Sequence, residues 1–359
     1  MVAGINKAVT FFSRYRLFAT GFRAIAATRA DRWLGPATCG VGVILTFHHV
    51  RPAAFGDFAP NRLLEITPAF LDLALRTIRA RGFDIIPLDE LPSRLDRREA
   101  PPFAVLTFDD GYRDNVEHAA PVLRRHGAPW TLFVTTEFAE GRGRLWWLEL
   151  EEAVARLDRV RLDLDPDIID LPCRTAAEKQ HVFETIYWRL RGGPEDVLRD
   201  KIGRLAESVG LDVAGLVPHL CLGWDEIEAL GREPDVTIGA HTLTHPMLAK
   251  HGEANARREM AESKALIEQR LGRTVRHFAY PVGDATSAGP RDFRLAREAG
   301  FMTAVTTRPG HVFPAHAEHL QALPRISVNG LFQSEAALLS LLSGVPFLVF
   351  NRGRRLNVS

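Results

Sequence analysis

The stretch LTFDDG (Leu106–Gly111) has a near twin upstream, LTFHHV (Leu45–Val50). Each is a short apolar run that ends in Thr-Phe and leads into two adjacent ionisable residues, aspartates in one case and histidines in the other. The runs are near-continuous in their apolarity, the pattern of a strand covered on both faces, as in a parallel sheet. They belong to strand segments predicted over 41–48 and 103–109. Six more runs of this kind follow, at 83–88, 130–135, 235–240, 275–280, 302–307 and 323–328. Helices are predicted between them. One starts at Thr67-Pro68, with Thr67 as N-cap and Pro68 at the first helical position; others lie near 113–126, 253–271 and 290–299. Strand and helix alternating seven or eight times predict an α/β fold built on a parallel sheet or a closed barrel.

Residues 145–233 break this rhythm. They predict a mainly helical insertion that begins with Trp146 and Trp147, turns a hairpin at Asp165-Pro166, and continues in helices near 175–191 and 194–209. Thr175 followed by Glu178 has the pattern of a capping box. Upstream of the barrel, residues 1–40 form a basic segment: its first thirty carry Lys7, Arg14, Arg16, Arg23 and Arg29, no acid, and interleaved apolar and aromatic side chains. Such a helix either packs on the domain or lies on an anionic membrane surface. The barrel proper is expected over 41–330. Residues 331–359 hold an apolar run, Leu338–Phe350, broken by Gly344 and Pro346, and then Arg352, Arg354 and Arg355. Neither terminus supplies an uninterrupted span long enough to cross a bilayer.

The composition is that of an ordinary globular protein, 46% hydrophobic and 25% charged over 359 residues. A net charge of +1 provides no field for nucleic acid. The three cysteines, Cys39, Cys173 and Cys221, are odd in number and far apart. They suggest neither a disulfide framework nor a cysteine metal site.

In a parallel barrel the C-terminal strand ends form the active rim. Both opening stretches end there, as do HTLTH (His241–His245) after VTIGA and YPVGD (Tyr280–Asp284) after VRHFA. The two histidines of HTLTH, four apart, can share one face of a helical turn, and imidazole is a common metal ligand. With one carboxylate of Asp109 and Asp110 they make a two-histidine, one-carboxylate set that leaves coordination positions open. The other aspartate is then free to take a proton.

TFDDGY, HTLTHP and FAYPVGD, in that order, resemble the metal-dependent polysaccharide deacetylases, the NodB-homology group of carbohydrate esterases. The resemblance covers about 41–330 and implies a distorted (β/α) barrel, usually of seven strands, that hydrolyses acetyl groups on sugars. It implies that Asp109 is the general base and that Asp110, His241 and His245 bind the metal. The backbone N–H of Val282 would then be the oxyanion donor. Two positions depart from the pattern. Ala279 stands where many members carry an arginine that supports the catalytic aspartate, a duty left to Arg276 or Arg325. The last strand, LPRISV, lacks the histidine that many members use as general acid. A subset places that acid in a Tyr-His-x-Val motif on the first strand, which FHHV resembles with Phe for Tyr; His48 is then the match and His49 the variable position. A buried arginine inside an apolar strand needs an anionic partner, which favours Arg325 as a site residue. Tyr280 and Pro281 of the third motif are expected at the substrate, together with Trp146 and Trp147, whose faces can stack on sugar rings.

An amide needs a base to activate water and an acid to protonate the departing amine. The twin stretches would supply both, with a divalent metal between them. Zn²⁺ is favoured, and Co, Ni or Fe are accepted by the same ligands. The expected substrate is an N-acetylhexosamine-containing glycan or a lipid-linked precursor of one. An O-acetyl esterase and an inactive carbohydrate-binding relative are the alternatives. A non-haem iron oxygenase could use the same ligand trio but would leave the second aspartate and the acid histidine unexplained. With no secretory signal legible, the expected place is the cytoplasm, peripheral on the inner membrane. Oligomeric state is not legible.

Overall fold

The computed structural model describes residues 11–53, 56–97, 99–164 and 166–358, with side chains from residue 18 onward. Lys7 and the turn residue Asp165 therefore lie outside the described residues, as do the side chains of Arg14 and Arg16. All eight apolar runs contain strands. They are β1 (Gly42–Phe47), β2 (Asp84–Ile85), β3 (Phe103–Phe108), β4 (Trp130–Val134), β5 (Val236–Ala240), β6 (His277–Ala279), β7 (Thr303–Val305) and β8 (Ile326–Ser327). Seven of them form one curled parallel path in the order β7-β6-β5-β4-β3-β1-β8, and the short β2 pairs with the start of β3. The two edges of the path are tied together: Val305 bridges Leu323, and Leu323 N–H donates to Ala304 O at 3.0 Å. The result is a distorted (β/α) barrel.

Both faces of each strand are covered, which explains why the sequence does not alternate. Ile44, Val105, Phe133, Ala279 and Val305 pack together inside the barrel. Leu45, Leu106, Leu132 and Ile238 point outward and pack beneath the surrounding helices. The helix Pro68–Ala80 starts as predicted, with Thr67 Oγ1 accepting from Phe70 N–H at 3.1 Å. The segment predicted over 113–126 opens with a π-helical turn, Asn115–Ala119, before the α-helix Ala120–Arg125.

Between β4 and β5 lie Trp146–Arg156, the antiparallel hairpin Arg159–Asp163/Ile168–Pro172, and the helices Ala176–Gly192 and Glu195–Ser208. The Thr175–Glu178 capping box is formed. This region has its own core, centred on Trp146, Leu150, Val182, Ile186, Leu198 and Ile202. At the other side, the N-terminal helix Phe11–Thr28 packs on Glu335–Leu342, where Phe22 meets Phe332 edge-on at 5.1 Å.

Candidate active site

Strand register brings the twin stretches together. Phe47 pairs with Phe108, so His48 and Asp109 leave their strands at the same level. Val134 pairs with Ala240, and His241 N–H donates to Val134 O at 2.9 Å. Residues two apart on a strand share a face. His48 and Asp109 therefore continue the inward faces of Ile44–Thr46 and Val105–Thr107 and look into the mouth of the barrel.

Asp109 is 2% exposed, and fully buried Arg325 holds it from β8's approach: Nη1 and Nη2 donate to Oδ1 and Oδ2 at 2.7 and 2.6 Å. Arg325 also donates to Thr306 O at 2.9 Å and Thr107 Oγ1 at 3.2 Å, so its fork is fixed in place. Burial, the largest single influence, pushes the Asp109 carboxyl upward, but the Arg325 charge and hydrogen bonds together with the nearby His241 and His48 outweigh it, and the net direction is down. Arg276 points the other way. It is mostly exposed and donates to Asp89 at 3.1 Å. Of the two arginines, Arg325 is thus the one that pairs with Asp109.

Asp110, His241 and His245 form a group able to hold a metal ion among the described residues, with one ligand atom from each within 4.8 Å of the others. Asp110 Oδ1 lies 3.4 Å from His241 Nε2 and 3.2 Å from His245 Nε2, yet it is buried with no hydrogen-bond partner. His241 Nδ1 is held by Ala279 O at 2.7 Å, which leaves its Nε2 free to ligate. A buried carboxylate oxygen facing two imidazole nitrogens without satisfying them is what a divalent cation between them would explain. The residues fit the implied metal.

The HTLTH segment is a loop just beyond β5 and not the helical turn that its spacing allows. Thr242 and His245 both have positive φ, 68° and 59°. Thr242 Oγ1 accepts from His245 N–H at 3.0 Å. Two buried glutamates hold the loop from outside. Glu259 accepts from the N–H groups of Leu243 and Thr244 at 2.9 and 3.0 Å, and Glu195 from that of Met247 at 2.8 Å. Asp110 and Val282 are also left-handed, at φ 71° and 60°. Four of the six positive-φ non-glycine residues described in the chain therefore sit here, where strain of this kind tends to gather. Val282 is the centre of a tight turn, with Gly283 N–H reaching Pro281 O at 2.6 Å. Its own N–H has no acceptor within the described protein.

These groups line one cavity of about 310 Å³, at the lower end of the ~300–1,000 Å³ usual for ligand pockets. His48 is on its wall, with Nε2 4.0 Å from Asp109 Oδ2. Burial lowers the His48 imidazole, although Asp110 and Asp109 pull it up. His49 faces away. It is buried, bonds Asp114 Oδ2 through Nδ1 at 2.6 Å and stacks on Tyr112 at 3.6 Å. Trp146 and Trp147 reach the wall, and Trp147 lies 5.0 Å from the His245 ring.

Tyr280 and Pro281 do not reach the cavity, against expectation. Tyr280 is fully buried beneath it, its hydroxyl donating to Gln321 O at 2.9 Å, while Val282 and Asp284 take the wall positions. Tyr280 shares the outward face of Phe278, two residues before it, and packs against Phe293 of the helix Pro290–Glu298. The opposite wall was not foreseen. It is the helix Ala176–Gly192, whose Gln180, Glu184, Tyr187, Trp188 and Arg191 face the strand ends. Their spacing of three and four is legible as one helical face, but nothing in the spacing says that this face meets the barrel.

A family model described as polysaccharide deacetylase matches residues 96–304. No curated protein sequence matches the chain significantly. Solved structures of similar fold include the Streptococcus pyogenes deacetylase PplD in complex with acetate. It has 18% identity and a TM-score of 0.55, with 84% of this chain and 97% of that one covered. IcaB from Ammonifex degensii aligns at 18% identity and TM-score 0.53, covering 85% and 97%. BC0361, a polysaccharide deacetylase from Bacillus cereus, aligns at 15% identity and TM-score 0.53, covering 84% and 68%. At these identities the likeness is one of fold.

Proposed function

The chain belongs to the polysaccharide deacetylase family, and on that premise we propose that it is a metal-dependent hydrolase removing N-acetyl groups from an N-acetylhexosamine-containing glycan. The observation that carries this reading is the convergence of a buried carboxylate–histidine cluster, an arginine-held carboxylate and an accessible imidazole on one cavity.

In this reading the barrel is the catalytic domain and residues 145–233 supply part of its substrate wall. Asp110, His241 and His245 hold the cation, zinc by preference for two imidazoles, with Co, Ni or Fe accepted. Once bound, it supplies Lewis acidity to the acetyl carbonyl and to the attacking water. Asp109 takes the proton from that water. Arg325 keeps Asp109 ionised and aims it, and each carboxylate oxygen retains a lone pair for the task. Val282 N–H donates to the oxygen on which negative charge develops. His48 gives a proton to the leaving amine; its lowered pKa makes it a stronger acid but a scarcer one at neutral pH. Trp146 and Trp147 confine the acetylated sugar.

The test is acetate release from N-acetylated and O-acetylated glycans, free and lipid-linked, beside metal content by elemental analysis. Acetate from ester substrates alone would make the chain an O-acetyl esterase. Binding without release would make it a non-hydrolysing relative.

The reading extends to place: the cytoplasmic side of the membrane, on a glycan precursor or nascent chain, with a peripheral seat. No helix among the described residues is long and apolar enough to cross a membrane. The meeting of the termini supports the peripheral seat. The Phe18 and Phe350 rings are 6.2 Å apart, and Val349 is 84% exposed. Arg352, Arg354 and Arg355 follow on the surface, and no acid occurs in 344–359. Apolar side chains beside uncompensated arginines suit an anionic bilayer. Sedimentation with anionic vesicles is expected to retain the full chain at low salt and release it at high salt. Equal retention of a chain lacking residues 1–30 would confine the contact to the C-terminus, and no retention of either would remove the membrane from the reading.

A further inference from the structure

The helix Ala176–Gly192 carries more than a wall needs. Trp188 is 51% exposed at the cavity mouth, an unusual place for so large an apolar ring. It is nevertheless held. Tyr187 meets it edge-on at 5.0 Å, and the Arg191 guanidinium lies 5.3 Å from its ring centre. Arg191 is in turn paired with Asp284 on the strand-end loop, so the helix is latched to the barrel at this point. A flat face is thereby presented to solvent in a fixed orientation.

One turn deeper stands Glu184. Of the other carboxylates lining the cavity, Asp109 pairs with Arg325 and Asp284 with Arg191, while Asp110 faces the two imidazoles of the candidate metal group. Glu184 has no cationic partner among the described residues; its contact is the Gln180 amide, which donates to Oε1 at 2.8 Å. On a helix, residues four apart are ~6 Å from one another, comparable to the width of a sugar ring. An apolar face with acceptor oxygens one turn away complements a pyranose, which presents C–H groups on its face and O–H or N–H donors at its edge.

We propose that Trp188 and Glu184 form a second sugar subsite, next to the one that holds the reacting acetyl group, and that it takes a neutral or amino-bearing sugar and rejects an acidic one. The ring of that sugar stacks on Trp188, and its hydroxyl or ammonium hydrogens go to Glu184. A uronic acid there would bring a second carboxylate against Glu184. The substrate therefore spans at least two sugars. This inference rests on the deacetylase reading for its choice of ligand, but not for its test.

The primary readout is binding, not turnover. Oligosaccharides of N-acetylglucosamine, of glucosamine and of alternating uronic acid and N-acetylglucosamine would be titrated into the metal-loaded protein, followed calorimetrically. Trp188→Ala is expected to weaken the first two by about tenfold, and Trp188→Phe to restore most of the loss, in line with an aromatic contact of roughly 1–1.5 kcal/mol. Glu184→Gln should weaken the glucosamine oligomer more than the acetylated one and improve binding of the uronic-acid oligomer. In turnover, Trp188→Ala should raise KM for a tetrasaccharide while shifting kcat by less than about twofold, a split that general unfolding would not give. Unchanged binding in Trp188→Ala, or equal losses for all three ligands in Glu184→Gln, overturns the subsite. Trp188-dependent binding without any acetate release would leave the subsite standing and overturn the deacetylase reading.

Discussion

The strand-end wall of the cavity and the insertion that backs the wall facing it treat their carboxylates in opposite ways. On the strand-end wall, burial would raise Asp109 and Asp110, but cationic or hydrogen-bonding partners overcome it and both are driven down. On the side of the insertion, Glu151 of the Trp146–Arg156 helix is raised to about 7 by burial, with only the Asn61 amide, at 2.7 Å, to offset it. The strand-end wall surrounds its acids with arginine and imidazole, which favour their charged forms. The insertion leaves Glu151, which lies behind the cavity lining, with an asparagine and further acids for neighbours. The difference teaches that the reactive half of a fold and the insertion that backs it can obey different electrostatic rules.

The comparison breaks most completely at the metal. His245→Ala is expected to lose both the cation and activity, by at least about 10³-fold, since it removes a ligand and the Lewis acid with it. Metal content and acetate release measured together check this, and full occupancy in the variant would reject His245 as a ligand. Next in size is Arg325→Leu. It leaves Asp109 buried without its partner, a loss of about 3–5 kcal/mol in stability by denaturant unfolding. Turnover should fall with it, and Arg276→Leu should do neither, since that side chain pairs with Asp89 on the surface.

The adjacent histidines sharpen the contrast within the reactive half. His48→Ala should lower turnover by about 100-fold or more and retain the metal, in the usual range for an acid–base group. His49→Ala should act chiefly on stability, by about 1–3 kcal/mol, because it strips the buried Asp114 contact. A larger loss of turnover in His49→Ala would reverse the assignment.

The smallest effect belongs to the insertion. A carboxyl raised to about 7 in the fold, against an ordinary value of 4.5, favours the folded state most below pH 4.5 and loses that contribution as pH rises through 7. Glu151→Gln should therefore leave thermal stability near pH 4.5 almost unchanged and raise it above pH 7 by about 1–2 kcal/mol, after discount for residual solvent access. A gain of equal size at both pH values would show that the Glu151 charge is not the cause.

How much was legible in the sequence follows the same division. The barrel was legible because strands buried on both faces cannot alternate, and because each rim motif directly follows such a run. The pairing of His48 with Asp109 followed from two strands ending in the same Thr-Phe step. Arg325 was legible as a charge stranded in an apolar strand. What the sequence could not convey was direction. Strand alternation put Tyr280 on the outward face with Phe278, and the HTLTH spacing suited a helical turn while the loop is set by Thr242, Glu259 and Glu195. The inserted helix had a readable face, but only tertiary packing decides what a face meets.

The four left-handed residues of the rim have a consequence for any attempt to make this protein sturdier. Each of Asp110, Thr242, His245 and Val282 holds a backbone shape that L-residues adopt at a cost of roughly 1–2 kcal/mol, and most steeply so for the β-branched Thr242 and Val282. A search for stabilising substitutions would be drawn to these positions first, since glycine relieves the shape at once. Glycine would also let the Val282 amide swing and the His241–His245 loop loosen. The places where this fold is easiest to improve are thus the places where improvement would blunt it. Thermostable versions of this barrel should be sought in its helices and outer turns, with the rim left in its uncomfortable shape.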